Sequence, residues 1–321
     1  MRRALLALLA HDVATAESEL EAVARAHPED PDVFRALALL YRQRGEFART
    51  IQIHQALLLR RDLDDAVRVD VLGELAEDFR KAGLIRRAAA AYEEVLLHAP
   101  HDRRALAGLA KLLESLREHG RALQMVRRLA REEGRNAAEE EAALLVQQAE
   151  AAHAEGRSDD ARRAARRARR RHPAYAPAHV LLGTLEAERG RNEAALAAWR
   201  GAVELDPHGA AIVYPRLEAA FASAGRARQL EGFLRGVLER RPDDAGARMA
   251  LARALAGWGE VDAAVAELQI LLARDPGAVA ARASLVRVLL AAGREREALA
   301  ALPALLAQLE REEAAVRESS A

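Results

Sequence analysis

Five glycines recur along the second half of the chain at a nearly fixed interval. Gly156, Gly190, Gly225, Gly259 and Gly293 stand 34, 35, 34 and 34 residues apart. Pro173, Pro207, Pro242 and Pro276 keep the same period, at 34, 35 and 34. A period of this length means an array of one repeated supersecondary unit, and it constrains the fold more than any single motif. Each glycine follows one amphipathic run and each proline ends the next. Glycine takes the left-handed conformation that closes a helix C-terminus, and proline cannot continue a helix interior. The unit is therefore a helix pair with a glycine turn inside it and a proline joint after it. Five residues beyond each glycine stands a small or apolar residue (Ala161, Ala195, Leu230, Ala264, Ala298), where the two helices approach closely. One pair cannot bury its apolar faces alone, so neighbours must stack.

Composition agrees and excludes several function classes. Aromatic residues make up only 3% of the chain, and no alternating stretch is long enough for a strand. Ala, Leu, Glu and Arg, which lose least on entering a helix, dominate. Lys+Arg and Asp+Glu are equal at 49 each, which argues against a dedicated nucleic-acid binder. The absence of cysteine excludes disulfides, thiolate metal sites and cysteine nucleophiles. The sequence contains no phosphate-cradling glycine loop and no His-Glu-x-x-His. His98 and His101 flank Pro100 without further ligands in view and read as a solvated turn. No catalytic residue, metal ligand or cofactor site is expected, and the chain does not read as an enzyme.

The stretch Ala176-Pro177-Ala178-His179, Leu182-Gly183, Gly190 to Ala195, Trp199, Ala202 and Leu205-Asp206-Pro207 resembles a near-complete tetratricopeptide repeat. Earlier units fit the same register: Gly83, Ala88, Tyr92 and Pro100, and before them Phe34, Leu37, Tyr41 and Gly45. Leu106, Leu109, Ala110, Ala122 and Val126 fit another, with Arg117 in the glycine's place. Two joints exceed the period, near Arg60–Asp65 and near Gly134–Glu141, as longer loops or extended helices. The resemblance implies an all-α fold, a right-handed superhelical solenoid of about nine helix pairs. The pattern reads as one continuous solenoid over 1–321: a partial first repeat at 1–30, N-terminal repeats at 31–135, regular 34-residue repeats at 136–302 and a C-terminal capping helix at 303–321 set off by Pro303.

The register places the second helix of the first pair at Ala16, Leu20, Val23 and Pro28, so its first helix would begin before Met1, and native residues are expected to precede it. Met1-Arg2-Arg3 followed by Ala4–Ala10 has the layout of a short secretory signal. The stretch is broken by His11-Asp12, however, and fits the repeat register. No run approaches the ~20 apolar residues that span a bilayer.

A narrower resemblance lies at about residues 30–100. Tyr41-Arg42-Gln43-Arg44-Gly45-Glu46 with Ile51-Gln52-Ile53-His54-Gln55-Ala56-Leu57, and the run Leu75 to Ala88, resemble early repeats of the lipopolysaccharide assembly protein B family. His54 stands where the generic repeat expects an aromatic, and reads as a packed or hydrogen-bonded helix residue. The resemblance implies a bacterial adaptor at the inner face of the inner membrane, linking a membrane protease to a lipid A biosynthetic enzyme. The family's membrane anchor and its cysteine zinc module have no counterpart here. A scaffold for another envelope, secretion or pilus assembly machine is the alternative.

By register, the first helix of each pair lines a concave groove. Toward the N-terminus the partner-binding candidates are Arg35, Leu39, Arg42, Asp70, Glu74, Glu77, Lys81, Arg104 and Lys111, charged with both signs. Toward the C-terminus, Val180, Thr184, Met249, Arg253, Arg287 and Leu290 make a more apolar groove. Arg163, Arg166, Arg167 and Arg170 form a stripe at helical spacing, opposite Ala161, Ala164, Ala165 and Ala168. The stripe reads as an outer face balanced by Glu139, Glu140 and Glu141, or as a contact for anionic partners, including peripheral contact with a membrane. No aromatic residues interleave for base stacking, so nucleic acid is not expected.

Overall fold

The computed structural model describes residues 12–206 and 211–319. The Ala4–Ala10 stretch and Pro207 lie outside the described residues. Two compact units make up the chain, Met1–Gln148 and Ala149–Ala321, where the repeat pattern alone reads as one continuous solenoid. Seventeen α-helices and one 3-10 turn, Ala211–Val213, are described, with no strand among the described residues.

After α1 (Val13–Ala26) the helices come in pairs. They are α2 (Pro31–Gln43) with α3 (Phe47–Leu58), α4 (Asp65–Lys81) with α5 (Ile85–His98), and α6 (Arg103–Ser115) with α7 (His119–Glu133). Next come α8 (Ala138–Ala154) with α9 (Ser158–Arg171), α10 (Ala176–Ala187) with α11 (Asn192–Leu205), and α12 (Tyr214–Ser223) with α13 (Ala227–Arg240). The last are α14 (Ala245–Gly257) with α15 (Val261–Arg274), and α16 (Val279–Ala291) with α17 (Glu295–Ser319). Both long joints prove to be a loop together with an extended helix: α4 and α8 each run 17 residues.

The two kinds of joint have different chemistry. Several first helices begin on an aspartate that caps a free backbone N–H: Asp30, Asp64, Asp102 and Asp244 accept from Asp32, Ala66, Ala105 and Ala247. Second helices from α3 to α15 have no side-chain cap. They follow a left-handed turn in which the next N–H reaches back five residues, as Glu46 N–H does to the Tyr41 carbonyl at 2.9 Å and Leu84 N–H to Phe79 at 2.8 Å.

Arg117 holds one of these turns at φ 59°, as the one non-glycine residue with positive φ among the described residues. A side chain there costs roughly 1–2 kcal/mol, part of which glycine returns through greater freedom in the unfolded chain. Arg117→Gly is therefore expected to stabilise the first unit by about 0.5–1 kcal/mol. A higher urea midpoint at unchanged slope would show it. An unchanged midpoint would mean that the exposed Arg117 side chain makes compensating contacts.

Packing is by small residues. Ala161, Ala164 and Ala165 are buried with Leu182 and Leu185 in the second unit, where Ala168 is buried too, and Ala16 and Leu20 pack on Leu37, Leu40 and Tyr41 in the first. Gly183 lies so close to Trp199 that an added Cβ would fall 2.3 Å from the indole ring. The separate capping helix expected at 303–321 is absent as an element. Pro303 sits inside α17, which runs on to Ser319. Leu299 and Pro303 are exposed, so the carbonyl left without a donor can meet water, while Leu305 is buried against the core.

Candidate partner-binding cleft

The heptad-like spacing of Arg35 and Arg42 puts both on one face of α2, two turns apart. Asp70, Glu74 and Glu77 share a face of α4 in the same way. Asp102 caps α6 and Arg104 stands in its first turn. These residues, with Gly73 on α4, Tyr92 and Val95 on α5, and Val69 and Ala105, line a cleft of about 520 Å³ in the first unit. Six of the nine candidates thus line one cleft: Arg35, Arg42, Asp70, Glu74, Glu77 and Arg104. Leu39, Lys81 and Lys111 are exposed on the same helices and are not among its lining residues. Gly73 leaves open space where a side chain would stand.

One wall of the cleft is a network of charges across three helices. Arg35 clamps Glu74 through Nε at 3.1 Å and Nη2 at 2.7 Å, with Asp32 at 3.2 Å and Asp70 at 3.5 Å also in reach. The Arg42 Nε donates to Asp78 Oδ1 at 2.5 Å, and its Nη2 to the Glu74 carbonyl at 3.2 Å. Behind them His54, on α3, is fully buried. Its Nδ1 meets Asp78 Oδ2 at 2.6 Å, and its Nε2 lies 3.1 Å from Glu74 Oε2, off the line of a good hydrogen bond. Asp78 is fully buried as well. Arg35, Arg42 and His54 therefore stand against four carboxylates, Asp32, Asp70, Glu74 and Asp78, the last in a place where an unmatched charge would be costly.

The electrostatics follow from that geometry. Burial by itself would push the His54 imidazole down, but Asp78 and Glu74 outweigh it and hold its pKa above the ordinary 6.5. Burial likewise would raise Glu74, yet His54 and Arg35 hold it down at about 2. Tyr92 is pushed up to about 12, first by burial and then by Glu77, whose Oε2 its hydroxyl meets at 3.2 Å. Glu77 is itself lowered, chiefly by the Arg80 hydrogen bond.

The carboxylates of the cleft are thus engaged, whereas Arg104, Lys81 and Lys111 make no ion pair among the described residues. Asp78 and Tyr92 belong to the site without having been singled out for it in the sequence. A carboxylate inside the run Leu75-Ala76-Glu77-Asp78-Phe79 was the available signal for Asp78.

The second unit has a more apolar cleft of about 610 Å³, where Arg253 and Arg287 stand over Ala252, Ala256, Val261, Leu268 and Val288. Glu218 holds Arg253 at 2.6 Å, and Thr184 accepts from Arg216 at 2.7 Å. Within the second unit, the stripe on α9 has counter-charges of its own. Glu140 is held by Arg135 and Glu141 by Arg127, both in the first unit. Asp160 pairs with Arg163, and the buried Glu186 of α10 pairs with Arg166 at 2.8 Å. Among the described residues no cluster of three or more His, Asp or Glu side chains could hold a metal ion, and no helix is long and apolar enough to cross a membrane.

The tetratricopeptide repeat family model matches residues 1–66, 74–143 and 146–210. No curated protein matches the chain. Among solved structures, the Naa15/Naa10 complex bound to HypK-THB aligns at a TM-score of 0.51 and 17% identity, covering 90% of this chain and 43% of that one. That likeness is one of fold. MamA is 21% identical over 51% of this chain and 96% of its own, with a TM-score of 0.40. A tetratricopeptide repeat protein from Parabacteroides merdae is 13% identical, covering 90% of this chain and 96% of its own, at 0.39.

Proposed function

Because this chain belongs to the tetratricopeptide repeat family, whose repeats hold protein partners, we propose that it is a non-enzymatic scaffold gripping an acidic segment of another protein in the cleft of its first unit. The observation that carries this reading is the imbalance of charge in and beside the cleft. Its carboxylates are committed to arginines, His54, Tyr92 and a helix cap, with Asp70 the loosest, while Arg104 in its lining, and Lys81 and Lys111 exposed outside it on the same helices, make no ion pair among the described residues. Lys81 and Lys111 are also the chain's two lysines, every other side-chain cation of this kind being arginine. A partner carboxylate meeting such groups gains charge-assisted hydrogen bonds at little cost to the protein, because no internal pair must be broken.

Binding of a partner recovered by affinity purification should weaken tenfold or more, about 1.4 kcal/mol or more, in Arg104→Glu/Lys111→Glu. The melting temperature should not change, since both side chains are exposed. Arg86→Glu, on an exposed face of α5, should leave affinity intact. Equal affinity in the double variant would remove the cleft from the reading.

The finer reading places the scaffold in bacterial lipopolysaccharide assembly, at the inner face of the inner membrane, as an adaptor between a membrane protease and a lipid A biosynthetic enzyme. Its support is the residue resemblance over Tyr41–Leu57 and Leu75–Ala88. His54 and Asp78, one from each of those segments, meet in the buried pair at 2.6 Å. Recovery of such a protease together with such an enzyme would support it. Recovery of another assembly instead would overturn it and leave the scaffold reading standing.

A further inference from the structure

The acids and bases of the chain balance, yet they are not evenly spread. Helix α9 carries seven arginines and two aspartates in 14 residues. Its alanines at 161, 164, 165 and 168 are buried, so the helix is fixed and its opposite face is turned to solvent. Arg163, Arg166, Arg167 and Arg170 occupy that face over about 10 Å of helix axis.

The internal acids account for only part of this charge. Asp160 serves Arg163 and Arg157, and Asp159 is held by Arg189 at 2.6 Å. Glu186 is shared by Arg162, Arg166 and Arg191. Arg167, Arg169 and Arg170 make no ion pair among the described residues. Arg163 faces Arg167, and Arg166 faces Arg170, at a four-residue spacing where like charges destabilise a helix. A charged helix built only for solubility would alternate the signs. This one accepts repulsion along a whole face, a local conflict of the kind found at functional surfaces.

We propose that this face of α9 docks on an anionic lipid bilayer, a surface separate from the protein-binding cleft. The face offers dense charge of one sign and no interleaved apolar or aromatic anchor. Protein interfaces need such anchors at their centre, and single-stranded nucleic acid needs stacking rings. A bilayer needs neither, because its headgroups are mobile and can gather under the guanidinium groups. The apolar side of the helix is already buried, so nothing inserts. Docking is by charge alone, reversible and salt-sensitive.

The test is co-sedimentation of the full chain with phosphatidylcholine vesicles, with and without phosphatidylglycerol. Binding is expected only with the anionic lipid, falling steeply as salt rises. Arg163→Gln/Arg167→Gln/Arg170→Gln should weaken it about a hundredfold at low salt, each charge contributing about fivefold. The corresponding triple lysine variant should keep binding, and so should Arg104→Glu/Lys111→Glu, which separates this result from the cleft's. Helical content by circular dichroism should match in all four proteins. Equal binding by wild type and the glutamine variant would overturn the proposal, as would binding to duplex DNA but not to vesicles.

Discussion

Asp78→Ala is expected to cost the first unit about 3–5 kcal/mol of stability, the range for removing one partner of a buried pair. Asp78 is fully buried, accepts from Arg42 at 2.5 Å and meets His54 at 2.6 Å. Its loss would leave a guanidinium and an imidazolium facing each other with no water to replace it. The cost is therefore the stranded partners rather than the missing methylene and carboxylate. Asp78→Asn keeps the shape and some hydrogen bonding, and should cost less. Urea unfolding followed by circular dichroism would read both. A loss under 1 kcal/mol for the alanine variant would mean that Arg42 and His54 find other acceptors or that water enters.

The same network should give the first unit a stability optimum on the acid side of neutrality. Glu74 is held at about 2 when folded against an ordinary 4.5. Its contribution is complete above roughly 4.5, and is lost as pH falls toward 2, amounting to about 3 kcal/mol before screening. His54 is shifted the other way, above the ordinary 6.5, by its contacts with Asp78 and Glu74. Its contribution is complete below 6.5 and is lost as pH rises through the folded value. Both contributions are present together between about pH 4.5 and 6.5. Denaturation midpoints across pH 3 to 9 should peak in that window, and His54→Ala should flatten the alkaline side and also shrink the acid side, since His54 shares with Arg35 in holding Glu74 down. A wild-type curve still rising from pH 6 to 8 would contradict the assignment of a charged, folded-state His54.

The repeat was legible because its constraints are local. A left-handed turn selects glycine, and the register follows from counting between such turns. Arg117 was identifiable as the exception from its neighbours' spacing alone, and the structure gives it the same left-handed φ as the glycines. Shared positions on the first helices were legible for the same reason, since equal spacing puts equal faces together. Arg35, Arg42, Asp70, Glu74, Glu77 and Arg104 accordingly meet in one cleft.

Choices set by three-dimensional neighbours were not legible. Glu139, Glu140 and Glu141 precede the arginine stripe in sequence. The residue that meets Arg166 is Glu186, because α10 is the helix that packs on α9. Pro303 reads as a helix break, yet its ring faces outward on an exposed side of α17 and the helix tolerates it. His54 was conspicuous for replacing an expected aromatic, but its partner lay 24 residues away in another pair.

The most direct test of the scaffold account is a binding titration of the purified partner segment against wild type, Arg104→Glu/Lys111→Glu and Arg86→Glu. The account predicts at least tenfold weaker binding for the cleft variant alone, with all three proteins melting together and the wild-type affinity falling as salt rises. Equal affinities for the three proteins would contradict it and move the binding surface out of the first unit's cleft.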